Sequence, residues 1–196
     1  MIDYKNLLKD KWGNFEKIGS YISNGEMPFI SKDARLNVFF EPLPVETTEE
    51  YFADVLKAEL HPELKSFYEW TNGCRLFFAS LSVYGIRGKC KDMLVPFDLE
   101  YENKNLLKTM PKDKYVYFAS IGGAYVFAYD KNTPSKVYGM KVGSTEILQT
   151  FEGFYDFFDH YFNVLIDEYD VDGRKIHPTE AYKGIPILEN KCIELL

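Results

Sequence analysis

Apolar and polar positions along the 196-residue chain change period several times, and each change marks an element. From Asp3 to Lys11, with Trp12 just beyond, Tyr4, Leu7, Leu8 and Trp12 fall at helical spacing, which predicts a short N-terminal helix. Ser23-Asn24-Gly25-Glu26-Met27-Pro28 is turn chemistry, and Glu41-Pro42-Leu43-Pro44 is an extended connector. Thr47 or Thr48 is placed to cap a helix whose first turn holds Glu49 and Glu50. Phe52, Val55, Leu56 and Leu60 then share one helical face until His61-Pro62 breaks it. Pro62 suits the first turn of a further helix with Leu64, Phe67 and Tyr68 as its apolar stripe. Asn72-Gly73 offers a left-handed residue to end that helix.

The pattern then turns to strands. Leu76 to Tyr84 is an apolar and aromatic run ending at Gly85, and Met93 to Phe97 is a second, shorter candidate. Tyr115–Ala119, Tyr125–Tyr129 and Lys136–Val142 are three more, rich in Val, Tyr and Phe. Ile121-Gly122-Gly123 and Asp130-Lys131-Asn132-Thr133-Pro134 link these last three. Such short links predict an antiparallel meander, because parallel crossovers need many more residues. Thr150 is placed to cap another helix. Its wide face of Phe154, Phe157, Phe158, Tyr161, Phe162 and Leu165 suits packing on the sheet. The expected organisation is an N-terminal arm over residues 1–45, packed on or extending an α+β domain over residues 46–196. The tail after Asp170 is expected to be peripheral apart from a small apolar patch at Ile185-Pro186-Ile187-Leu188.

Composition supports a packed core, with 46% hydrophobic and 17% aromatic residues. A formal net charge of -7 disfavours direct binding to nucleic acid or an anionic membrane and favours a basic partner. No run approaches a membrane span, and residues 1–13 lack the apolar core of a secretory signal. Cys74, Cys90 and Cys192, odd in number and widely spaced, fit a reducing compartment, so a cytoplasmic location is expected.

Catalytic and metal chemistry finds little support. His61, His160 and His177 are scattered and no CxxC occurs, which argues against zinc. Glu168-Tyr169-Asp170-Val171-Asp172-Gly173 resembles a calcium loop at positions 3, 5 and 6, but it begins with Glu and has Thr179 where a bidentate Glu belongs. An acidic turn explains it better. No nucleophile motif is present, and Cys74 after a helix end reads as a small core residue. Asp156 and His160, four apart on a helix, read as a surface pair. Gly122-Gly123 lies between strands and lacks a phosphate-loop frame. No cofactor or metal is therefore expected. Two acidic groupings remain: Asp98, Glu100 and Glu102, and Asp156, Asp159, Asp167, Glu168, Asp170 and Asp172. Each is either a solvated face or a docking surface for a basic protein.

The order of motifs carries more information than any one of them. Leu64-x-x-Phe67-Tyr68-x-x-x-Asn72-Gly73 precedes Leu81-x-Val83-Tyr84-Gly85 and Pro96-Phe97-Asp98-Leu99. Then come Phe118-Ala119-x-Ile121-Gly122-Gly123-x-Tyr125-x-Phe127-Ala128-Tyr129-Asp130, Val137-Tyr138 and Phe151-x-x-Phe154-x-x-Phe157. This order resembles the SUKH superfamily, which includes fungal cell-wall-synthesis regulators and bacterial immunity proteins, over about residues 46–166. One departure is His61-Pro62, where the family pattern often has Leu-Pro. The resemblance implies an α+β fold with a bent, mainly antiparallel sheet, helices packed on one side and no catalysis. It implies structural roles for Leu64, Phe67, Tyr68, Asn72, Gly73, Gly122, Gly123 and Asp130. The function so implied is that of an immunity protein neutralising a toxin domain, often a nuclease, by direct binding. A regulatory scaffold, or a small-ligand binder using the aromatic sheet face, is the alternative. A monomer or weak dimer is expected.

Overall fold

The computed structural model describes residues 3–31, 33–87, 94–106 and 110–176. Among the described residues nine strands form a single sheet in which every strand pairs antiparallel with its neighbours in the chain. They are β1 (Glu16–Ile18), β2 (Tyr21–Glu26), β3 (Arg35–Phe40), β4 (Cys74–Leu76), β5 (Leu81–Val83), β6 (Tyr115–Ile121), β7 (Tyr125–Asp130), β8 (Thr133–Lys141) and β9 (Ile147–Phe151). The helices are α1 (Tyr4–Trp12), α2 (Val45–Tyr51), α3 (Pro62–Trp70), α4 (Leu99–Tyr101) and α5 (Phe154–Glu168). α2 and α4 each run on into a π-helical turn, Phe52–Leu56 and Glu102–Leu106. Register shifts within the β6–β7, β7–β8 and β8–β9 pairs add local twist, which bends a sheet of this width.

Alternation along the strands sorts the core onto two faces. Phe39, Val83, Phe118 and Phe127 point to the face where α1, α3 and α5 pack, and α5 lays Phe154, Phe157, Phe158, Tyr161, Phe162 and Leu165 on it. Ring contacts such as Phe127–Phe157 (4.4 Å) and Phe67–Phe154 (4.9 Å) dominate there. On the other face Tyr115, Tyr117, Val126, Ala128 and Met140 form one buried cluster, while Tyr21, Val38 and Phe40 form another. The shift between Tyr117 and Ala119 turns both Phe118 and Ala119 into the helical-side core.

Several sequence expectations need correction. Ser23 to Glu26 is no turn. It lies in β2, where Ser23 and Asn24 are buried. Asn24 donates to the Leu8 and Gly13 carbonyls and accepts from Asn37, so its polar atoms are satisfied by the pairing strand and by α1. Leu76 to Tyr84 is not one strand but the hairpin β4–β5. Phe77, Phe78 and Ala79, all at positive φ, make its turn. Asn37 accepts from the Phe77 N–H and the Tyr169 hydroxyl donates to the Phe77 carbonyl, so tertiary partners hold a backbone that apolar pattern alone would extend. In the stretch expected to be a Met93–Phe97 strand, residues 94–97 are irregular and Met93 lies outside the described residues. Asp98 instead meets Gly85 in an isolated bridge and caps α4. Thr150 and Phe151 belong to β9, and α5 starts at Phe154 after Gly153, because pairing with Tyr138 and Val137 claims them first. α2 begins after Pro44, earlier than a Thr47 or Thr48 cap, and Thr48 donates to the Pro44 carbonyl from inside the helix.

The first 45 residues supply α1 and β1–β3 to the same sheet, and Tyr4, Leu8, Trp12, Leu36 and Phe39 join the main core. Ile185 to Leu188 lies outside the described residues.

Candidate functional site

The two acidic groupings do different things in the fold. In the first, Asp98 accepts from the Tyr101 N–H at 3.0 Å and caps α4. Glu100 is half-buried and paired with Lys104 at 2.7 Å. Glu102, one helical turn beyond Asp98, is only 7% exposed. It faces a cleft of about 250 Å³ walled by Tyr84, Phe97, Ser120, Gly123, Val126 and Val142. Among the described residues its carboxylate has neither a hydrogen bond nor an ion pair. Burial, with the Asp98 charge second, pushes its pKa up to about 7. The Tyr84 and Ser120 side chains line the same cleft.

The second grouping is spread out. Asp159 accepts from the Tyr4 hydroxyl and ties α1 to α5. Glu168 is buried and paired with Lys175 at 3.1 Å. Asp170 accepts from the Arg174 N–H at 2.8 Å, and its carbonyl accepts from Trp12 at 2.8 Å. These contacts make 168–175 a closed turn bonded to itself and to α1, as an acidic turn would be; Thr179 lies outside the described residues. Asp156 accepts from the Glu152 N–H at 3.0 Å, while His160 packs its ring against Phe151 and Tyr161. Asp156, His160, Asn163 and Asp167 are exposed at helical spacing and form one stripe along α5, and Asp172 is exposed on the following turn. Among the described residues no three potential metal ligands come together. Cys74 is fully buried, and burial pushes its thiol up to about 12, which leaves it an inert core group.

The residues singled out as structural lie where backbone segments meet. Leu64, Phe67 and Tyr68 are buried on α3, and the Tyr68 hydroxyl donates to the Tyr84 carbonyl at 2.6 Å. α3 ends at Trp70 with Thr71 extended, so the Asn72-Gly73 pair does not cap the helix. It docks the chain onto two strands. The Thr71 hydroxyl donates to the Phe40 carbonyl at 2.7 Å. Asn72 accepts from the Ile86 N–H and donates to the Ile86 carbonyl, at 2.8 and 2.9 Å. Gly73 (φ +84°) passes so close to β5 that a Cβ there would sit 2.7 Å from the Val83 oxygen. Gly122 and Gly123, both at positive φ, turn β6 into β7. Asp130 ends β7 and accepts from the Asn132 N–H at 2.9 Å.

Sequence reading missed a second asparagine clamp. Asn103 donates to the Leu99 and Tyr117 carbonyls and accepts from the Tyr117 N–H, filling the bonding positions on β6 that the short β5 leaves open. The only sequence signal for the cleft was the hydroxyl of Ser120 inside an otherwise apolar strand.

The family model for SMI1/KNR4 (SUKH-1) matches residues 46–160, more than half of the chain. The chain belongs to this family. No curated protein and no solved structure gives a match. The SUKH-1 match begins at α2 and ends within α5, so it takes in β4–β9, the Asn72-Gly73 docking point and the Glu102 cleft. α1 and β1–β3 precede it. SUKH-1 membership is consistent with an immunity or regulatory role exercised by protein binding, and the family is generally non-catalytic. No helix among the described residues is long and apolar enough to cross a membrane.

Proposed function

We propose that this SUKH-1 chain is a non-catalytic immunity protein that neutralises a cognate toxin domain, such as a nuclease, by direct binding in the cytoplasm. Membership of the family carries the reading, and the net charge of -7 supports a basic partner. The surface we favour comprises the α5 stripe of Asp156 and Asp167 together with Asp172, along with Glu100 at the other grouping. Asp156, Asp167 and Asp172 are exposed and Glu100 is half-buried, so their field is available to speed encounter and fix orientation. Asp98, Asp159, Glu168 and Asp170 make contacts within the fold and act as its supports.

The test is co-expression with the product of the adjoining gene. Rescue of growth and a co-purifying one-to-one complex support the reading; a toxic neighbour that is neither bound nor neutralised rejects it. Family membership equally supports a regulatory scaffold, which would capture several cellular proteins in the same pull-down.

A further inference from the structure

Glu102 is the one acidic residue of the first grouping that the fold buries without supplying a partner among the described residues. A carboxylate held away from water is unfavourable unless a cation or donors reach it. Its cleft offers what a cation with a carbon stem needs. Tyr84 and Phe97 give aromatic walls, Val126 and Val142 give apolar ones, and Tyr84 and Ser120 bring hydroxyl groups to the same lining. At about 250 Å³ the space is below the range of roughly 300–1,000 Å³ typical of drug-sized sites, yet ample for one long side chain. Arg75 lies over the Phe97 ring at 4.8 Å and makes no ion pair with Glu102. Val142, 39% exposed, stands at the mouth, so the cleft opens to solvent.

We propose that the Glu102 cleft is a binding site for an alkylammonium or alkylguanidinium group, the head of a lysine or arginine side chain presented by a partner protein. Glu102 takes the charge, Tyr84 and Ser120 accept remaining N–H groups, and Phe97, Val126 and Val142 cover the stem. That the cation comes from a protein rests on the binding-protein reading above; that the cleft takes a cation does not.

The experiment titrates the full chain at about pH 8, where Glu102 is mostly ionised, following amide resonances of Gly123, Val126 and Val142. The probes are n-butylammonium, N-acetyl-lysine methylamide and, as an uncharged analogue, 1-butanol. Both cations should shift these resonances saturably, and 1-butanol should bind at least about tenfold more weakly, as expected for loss of a charge-assisted contact. Glu102→Gln keeps the shape and hydrogen-bonding of a neutral acid and should lose at least about tenfold in cation affinity. Val142→Trp, at the rim, should block the mouth without touching the core, and Glu16→Gln, exposed on β1 and away from the cleft lining, should bind as the wild type does. The proposal is overturned if neither cation moves the cleft resonances, if 1-butanol matches them, or if Glu102→Gln binds equally well. Binding of butylammonium but not of the lysine derivative overturns the protein side chain as source. Cation binding without neutralisation of any toxin would remove the immunity reading and leave the cleft, and neutralisation without cation binding would do the reverse.

Discussion

Gly73→Ala should destabilise the protein by about 3 kcal/mol, from two separable causes. The first is conformational: φ is +84° at Gly73, and a left-handed backbone with a Cβ costs about 1–2 kcal/mol. The second is contact. The new Cβ would lie 2.7 Å from the Val83 oxygen and 3.1 Å from both the Gly85 nitrogen and the Tyr84 carbonyl carbon, all backbone atoms of β5 and its exit. Overpacking of this kind costs about 1–3 kcal/mol. Gly123 and Gly143 separate the two causes, since each has positive φ and nothing within 4 Å of its added Cβ. Gly123→Ala and Gly143→Ala should therefore show the conformational cost alone. Urea denaturation gives the free energies, and a thermal melt should place Gly73→Ala roughly 6–12 °C below wild type for a chain of this size. If Gly73→Ala costs no more than the two controls, within about 0.5 kcal/mol, then the close docking of residues 72–73 on β5 does not account for this glycine.

Asn103→Ala should cost about 2–4 kcal/mol in urea denaturation, because it leaves the buried Tyr117 N–H and carbonyl without partners. Glu102 sets a pH dependence. Its folded pKa is raised to about 7 from 4.5, so its favourable contribution is full below 4.5 and is lost as pH rises through 7. Relative to Glu102→Gln, the wild type should lose up to about 3 kcal/mol between about pH 4.5 and pH 8. Asp98 and Tyr84 face the same acid, and a flat difference would reject the assignment. His61 works in the opposite sense: burial lowers its pKa below 6.5, against the weaker pull of Glu63, and its neutral Nδ1 accepts the Glu63 N–H at the start of α3. Its contribution is present above pH 6.5 and is lost as pH falls through the lower folded value. His61→Asn, a cap indifferent to pH, should lose less stability than the wild type between about pH 7.5 and pH 5.5 in urea denaturation, and equal losses would reject the assignment.

Legibility in the sequence followed how local each cause was. β6, β7 and β8 were readable because alternation and Gly122-Gly123 act over a few residues, although the expected Asp130–Pro134 turn shrinks to Lys131-Asn132, since Asp130 pairs with Thr133 across β7 and β8. The α3 and α5 stripes were readable for the same reason. β2 was read as a turn because its Asn24 is satisfied by Leu8, Gly13 and Asn37, partners no local window contains. The Phe77–Ala79 turn was hidden inside an apolar run because Asn37 and Tyr169 impose it from a distance. In the candidate site, the residue types were visible but not their division of labour. Glu100 and Glu102 look alike in sequence, yet one pairs with Lys104 and the other faces a cleft built from β6, β7 and the residues that follow β5 and β8.

The three strands ahead of the family-matched segment have a further consequence. A strand at the margin of a sheet offers its free backbone groups to any other extended chain, and long apolar ones invite self-association. β4 is the first strand of the matched segment, and alone it would present that margin. Here β3 seals it through Val38–Arg75 and Phe39–Cys74 pairing, and the margin moves outward to β1. β1 is three residues long, with Glu16 exposed and Lys17 paired with Glu41. It is a poor template for another chain. The strands that precede the family segment thus cover its β4 margin and leave β9 as the edge that it presents itself.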